Sequence, residues 1–176
     1  MKKNVNNDGL YSIVYRREPL GKKCRCDVLL DGFLWRELVE IDPSELPRNP
    51  GVYVIRVFEY GDPIDELIRG FKSFISKTRW IELSRYVESR LKRLYRIGEC
   101  PLIYIGSANS IRSRYLDLAG KRHTIFFPVL ILLYGGWKLD YGFKTTQNKD
   151  EAEMLEEELK NKYKSIHGTL PALVEK

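Results

Sequence analysis

Leu102-Ile103-Tyr104-Ile105-Gly106 joins four residues of strand preference to a glycine, and Asn109-Ser110, just beyond Ser107-Ala108, have side chains able to cap a helix. Residues 102–106 are therefore expected to form a strand. The glycine at its end would let backbone approach a phosphate closely. Asn109 or Ser110 then opens a helix from Ile111 to about Leu118, with Gly120 just beyond it. On that helix Arg114 follows Gly106 by eight residues. A planar guanidinium there can grip a phosphate with two parallel donors, which Lys cannot do. Arg112 is the neighbouring candidate and could equally face solvent. A tyrosine in a strand is usually a packing residue, so Tyr104 alone decides nothing.

Towards the N-terminus, Val52 to Phe58 is rich in β-branched and aromatic residues and is a second expected strand. Pro43, Pro47 and Pro50 mark an irregular connection into it. Residues 1–9 read as a frayed end and Leu10–Tyr15 as a strand. Val28-Leu29-Leu30 and Phe33-Leu34-Trp35 flank Asp31-Gly32, the pattern of a β-hairpin. Between the two central strands, Ile64 to Ile97 contains no proline, and Gly70 is its only glycine. Its apolar positions recur at helical spacing, which predicts one long or two shorter helices. From Arg69 to Arg96 it carries nine Lys/Arg against two Glu, Glu82 and Glu88, the most basic block of the chain.

Towards the C-terminus, the apolar run 125–134 before Gly135-Gly136 reads as a buried helix with a glycine cap. Trp137, Leu139, Tyr141 and Phe143 then alternate with polar residues, as in a half-buried strand. A last helix is expected from Lys149 or Asp150 to about Lys164. Ala152, Leu155, Leu159 and Tyr163 define its buried stripe. Among its glutamates, Glu156 falls inside that stripe while Glu151, Glu153, Glu157 and Glu158 lie on its flanks or in solvent. A buried carboxylate needs a cationic partner, either a basic side chain or a metal ion.

Apolar and charged fractions of 43% and 31% are those of a globular protein. No apolar run approaches the roughly 20 residues needed to span a bilayer, and the start Met1-Lys2-Lys3-Asn4 leads into no apolar signal core. A cytoplasmic protein without a membrane partner is the expectation. The net charge of +6 and pI near 9.2 fit a polyanionic partner. The three cysteines, Cys24, Cys26 and Cys100, are an odd count with no second Cys/His pair at zinc spacing, so they read as ordinary reduced thiols. His167 reads as incidental.

Taken together, four of these elements resemble the GIY-YIG endonuclease family. Gly51-Val52-Tyr53 after Asn49-Pro50 is similar to its first motif, and Tyr104-Ile105-Gly106-Ser107-Ala108 to its second. Arg114 stands where the family's arginine is expected. Asp150-Glu151-Ala152-Glu153-Met154-Leu155-Glu156 looks like its metal-binding helix, with Glu156 as the ligand. The resemblance covers residues 51–176. It implies an α+β fold with a small antiparallel three-stranded sheet flanked by helices, and the hairpin pattern before it makes residues 1–49 a β-rich extension. It further implies a metal-dependent DNA endonuclease using Mg²⁺ or Mn²⁺, with Tyr53 helping to deprotonate water. Tyr104 would orient water or phosphate, and Arg114 would stabilise the transition-state charge. His123, in Lys121-Arg122-His123-Thr124, resembles a histidine of several subfamilies and would assist.

The chain also departs from the family pattern. Val174 follows Leu170-Pro171-Ala172-Leu173 where an asparagine is usual, and Ser107 stands where lysine is common. About fifty residues separate Tyr53 from Tyr104, so the basic block within 62–98 reads as an insertion in the hairpin. Arg85, Arg90, Arg93, Arg112, Lys121 and Arg122 are the expected contacts to double-stranded or branched DNA. A homodimer would suit a double-strand cut, because one site cuts one strand. The competing expectation is a catalytically inert nucleic-acid-binding module or partner subunit.

Overall fold

A computed structural model describes residues 24–77 and 81–175, apart from the side chain of Leu83. Over this range the chain forms strands β1 (Leu34–Glu37), β2 (Gly51–Glu59), β3 (Leu102–Ala108) and β4 (Lys138–Thr145). It also forms helices α1 (Ile64–Ser76), α2 (Ile81–Leu91), α3 (Ile111–Ala119), α4 (Phe126–Tyr134) and α5 (Lys149–His167). The class is α+β. The expected frayed end and strand Leu10–Tyr15 lie outside the described residues.

All strand pairs are antiparallel, in the order β1-β4-β2-β3. The expected three strands are thus four, because the N-terminal segment adds β1 beside β4. The expected hairpin across Asp31-Gly32 is also corrected. Its turn forms, with Gly32 at φ +75°, but residues Arg25–Leu30 are a 3₁₀ helix. Cys26 and Leu30, four apart, are buried while Val28 is exposed, a helical and not an alternating pattern. Asp27 accepts a hydrogen bond from the Cys24 N–H at 3.0 Å, closing the first turn.

The two sheet faces bury different sets. Tyr53, Ile55, Val57, Leu139, Tyr141 and Phe143 face one core, covered by α1 to α4. Val52, Val54, Leu102 and Ile105 face the other, under the 3₁₀ helix and Leu159 and Tyr163 of α5. β4 therefore departs from the expected half-buried alternation: Leu139 to Phe143 are buried on both faces. Its Asp140, 1% exposed, accepts from Arg56 Nε at 3.1 Å and Nη2 at 3.0 Å, and that guanidinium lies 3.8 Å from the Trp35 ring centre. A charged pair thus sits in the sheet without unpaired charge.

The region 64–97 forms two helices and a short 3₁₀ turn, Leu94–Arg96. Leu67, Ile68, Ile75, Val87, Leu91 and Leu94 seal one face of the sheet. The C-terminal tail closes the same core: Leu173 is fully buried and donates its N–H to the Ile103 carbonyl at 2.9 Å.

Candidate functional site

Strand pairing brings the two tyrosines together. Tyr53 lies opposite Gly106 and Tyr104 opposite Ile55, so the phenols are diagonal neighbours on one face of the β2–β3 ladder. Their rings are 5.6 Å apart, and the Tyr53 hydroxyl donates to the Tyr104 hydroxyl at 3.3 Å. A break in register at Ile103 turns the ladder just before Tyr104. β3 runs on to Ala108, so Gly106 is mid-strand and not the expected open end. A Cβ on Gly106 would meet the Tyr53 hydroxyl and a Tyr104 ring carbon, each at 2.8 Å. The glycine is there to seat phenols.

His123 completes the group. It is 8% exposed, and its Nε2 lies 2.6 Å from the Tyr53 hydroxyl. Its Nδ1 accepts from the Ile125 N–H at 3.2 Å, so the neutral ring carries its proton on Nε2. The donor order is therefore His123 to Tyr53 to Tyr104. Burial, then the Arg114 charge, pushes the imidazole down to about 4, so it is neutral at pH 7. Burial likewise pushes Tyr53 well above its ordinary phenol value. Burial also raises Tyr104, but there the Tyr53 hydrogen bond and Arg114 act in the opposite direction. Tyr104 is only partly buried and is the phenol at the outer end of the chain.

Arg114 is held on the first turns of α3. Ser110 accepts from the Ser113 N–H at 3.3 Å, and the Pro47 and Asn49 carbonyls take the Arg112 and Ile111 N–H groups at 2.9 and 3.1 Å. Those acceptors replace partners that a helix start lacks. The Arg114 guanidinium is half-buried and forms no ion pair or side-chain hydrogen bond among the described residues. Its charge acts on Tyr53, Tyr104, His123 and Tyr141. Tyr141, stacked on Tyr53 at 5.6 Å, buries a hydroxyl without a hydrogen-bond partner among the described residues. Nothing but strand alternation marked Tyr141 in the sequence, because its role depends on a ring two strands away in the chain.

Glu156 sits at the edge of the α5 stripe, its side chain 19% exposed, and pairs with Lys160 one turn on. Its charge reaches Tyr104. The remaining predicted residues divide. Arg85, Lys121 and Arg122 are exposed, with Arg85 paired to Glu82 at 3.1 Å and Arg122 to Asp117 at 3.2 Å. Arg112 turns inward, donating to the Leu46 and Ser44 carbonyls at 2.8 and 2.5 Å. Arg90 and Arg93 converge on Glu175, which anchors the C-terminal tail.

One group was not foreseen. Cys24, Cys26, Cys100 and His167 meet, with their sulfur and nitrogen atoms all within 4.8 Å of one another. The thiols are free, and Cys100 is pushed down to about 5, chiefly by the hydrogen bond from Cys26. The residues are too scattered for any spacing rule to pair them, which is why they read as ordinary thiols and an incidental histidine.

No helix among the described residues is long and apolar enough to cross a membrane. No protein-family model, curated protein or solved structure matches the chain.

Proposed function

We propose that the chain is a GIY-YIG-type endonuclease that hydrolyses phosphodiester bonds in DNA with the help of Mg²⁺ or Mn²⁺. The observation that carries this reading is the donor chain His123–Tyr53–Tyr104 beside the uncompensated Arg114 guanidinium. A half-buried cation without an acid partner is a natural seat for a phosphate oxygen. Tyr104 receives a hydrogen bond and ends the chain, so its oxygen is the one best placed to accept from the attacking water. It takes that water's proton only as the phenolate, after its own proton has passed to solvent with Arg114 and the bound ion stabilising the charge. Tyr53, buried and holding its proton, orients it. This exchanges the roles that the family resemblance implies for the two tyrosines. Arg114 neutralises charge as it develops on the phosphorane.

Glu156 would hold the divalent ion, since a carboxylate oxygen is the donor Mg²⁺ and Mn²⁺ prefer. Such an ion supplies charge neutralisation and a more acidic bound water. Lys160, partly exposed on a flexible stem, can yield that carboxylate. The same Glu156–Lys160 pair favours a second reading, an inert DNA-binding module in which the glutamate is already satisfied.

Nicking of supercoiled or branched DNA by the wild type, Glu156→Ala and Lys160→Ala separates the two. The expected result is nicking with Mg²⁺ or Mn²⁺, none with a chelator, and a loss of about 10²–10³-fold in Glu156→Ala with Lys160→Ala active. DNA binding without nicking by the wild type would establish the inert module.

A further inference from the structure

We infer that Cys24, Cys26, Cys100 and His167 form a structural zinc site, separate from the Glu156 carboxylate. The Cys26 sulfur lies 3.2 Å from Cys24 and 3.3 Å from Cys100, Cys24 lies 3.6 Å from Cys100, and the Cys24 sulfur lies 3.4 Å from His167 Nε2. A disulfide needs sulfurs about 2.05 Å apart, so none of these is one. A tetrahedral ion with zinc–sulfur bonds of about 2.3 Å and a zinc–nitrogen bond of about 2.0 Å has edges of roughly 3.5–3.8 Å. These four of the six edges are at or somewhat below that length, and the other two, from His167 to Cys26 and Cys100, lie within 4.8 Å.

The donor set selects the ion. Three thiolates and an imidazole suit zinc and not the oxygen-seeking Mg²⁺ or Mn²⁺. Four protein ligands leave no open position, which marks a structural and not a catalytic site. The thiols release their protons to solvent as the ion binds, leaving the site one net negative charge. Arg25 and Arg96 line the adjoining cavity of about 450 Å³ and supply positive charge. The buried Tyr163 ring, 4.4 Å from that of His167, packs against the histidine and holds its orientation, the outer support that metal ligands need.

The ligands come from three distant places: the start of the first 3₁₀ helix, the approach to β3, and the last residue of α5. Cys100 precedes Tyr104 by four residues and His167 follows Glu156 by eleven. The ion would staple the N-terminal segment to the two elements that carry the candidate site.

The test is elemental analysis of the full chain purified without chelators, with Co²⁺ titration of the reduced, metal-free protein. About one zinc per chain is expected, with thiolate-to-cobalt charge-transfer and tetrahedral ligand-field bands. His167→Ala should bind zinc at least about 10-fold more weakly. His167→Cys should keep the ion with shifted cobalt bands. Glu156→Ala should keep its zinc whether or not the chain is a nuclease. A wild type that is purified metal-free and develops no cobalt bands would overturn the site. So would iron–sulfur absorption, or a disulfide among the three cysteines of freshly purified protein. The wild-type cobalt titration decides even if a variant fails to fold.

Discussion

His123 is the residue whose chemistry is most exposed to pH. Its imidazole is buried neutral between the Tyr53 hydroxyl and the Ile125 N–H, and its pKa is pushed down to about 4. An ordinary histidine titrates near 6.5, so as pH falls the unfolded chain takes up this proton first. Its contribution to stability is therefore complete above about 6.5 and is lost between there and about 4, reaching at most about 3 kcal/mol. Urea unfolding across that window should show this acid loss in the wild type, and His123→Gln should flatten it. Equal slopes for the two proteins would remove His123 from the account. That His123 belonged with the tyrosines was legible only through the family resemblance. Its local sequence, Lys121-Arg122-His123-Thr124, describes an exposed basic loop equally well. Burial decided between them.

At the scale of elements, the β2–β3 ladder turns two short motifs into one site. Tyr53 and Gly106 are cross-strand partners, and the hydrogen in place of a Cβ leaves room for both phenols. The Tyr53 ring cannot retreat, since it is 1% exposed and stacked on Tyr141. Gly106→Ala should displace the hydroxyls and lower nicking about 10²-fold or more, as Tyr104→Phe should, while leaving far-ultraviolet circular dichroism unchanged. Full activity in Gly106→Ala would show that the hydroxyl chain is not used. Strand identities were legible from composition, and their ends were not. The expected strand stops at Gly106, yet Ser107 and Ala108 pair with Val52 and Gly51 and extend β3.

At the scale of the whole molecule, the basic block has two functions. Its apolar face covers the sheet, and two of its arginines hold the C-terminal tail through Glu175. Arg85, Lys121 and Arg122 remain at the surface. Replacing these three by alanine should weaken DNA binding and reduce its logarithmic salt slope by up to about 3, at about 0.9 per lost phosphate contact. Arg90→Ala and Arg93→Ala should instead lower the thermal midpoint, because their side chains are 21% and 15% exposed and bound to Glu175. Binding isotherms at several salt concentrations and thermal melts check the two effects separately. A salt slope unchanged in the triple variant would remove the DNA contact.

The sequence by itself determined what depends on near neighbours. The strand preference of 52–58 and 102–106, the helical periodicity of 64–97, the Gly32 turn and the last helix are all local conformational energies. Tertiary structure alone decided what depends on distant ones. The fourth strand, the inward turn of Arg112, the Arg90–Arg93–Glu175 clamp and the buried Arg56–Asp140 pair each join segments far apart in the chain. The meeting of three cysteines with His167 is the extreme case. Beyond the Cys24–Cys26 pair, no residue in that group signals the others through spacing, because the distance that brings them together is set by how β3, α5 and the N-terminal segment pack.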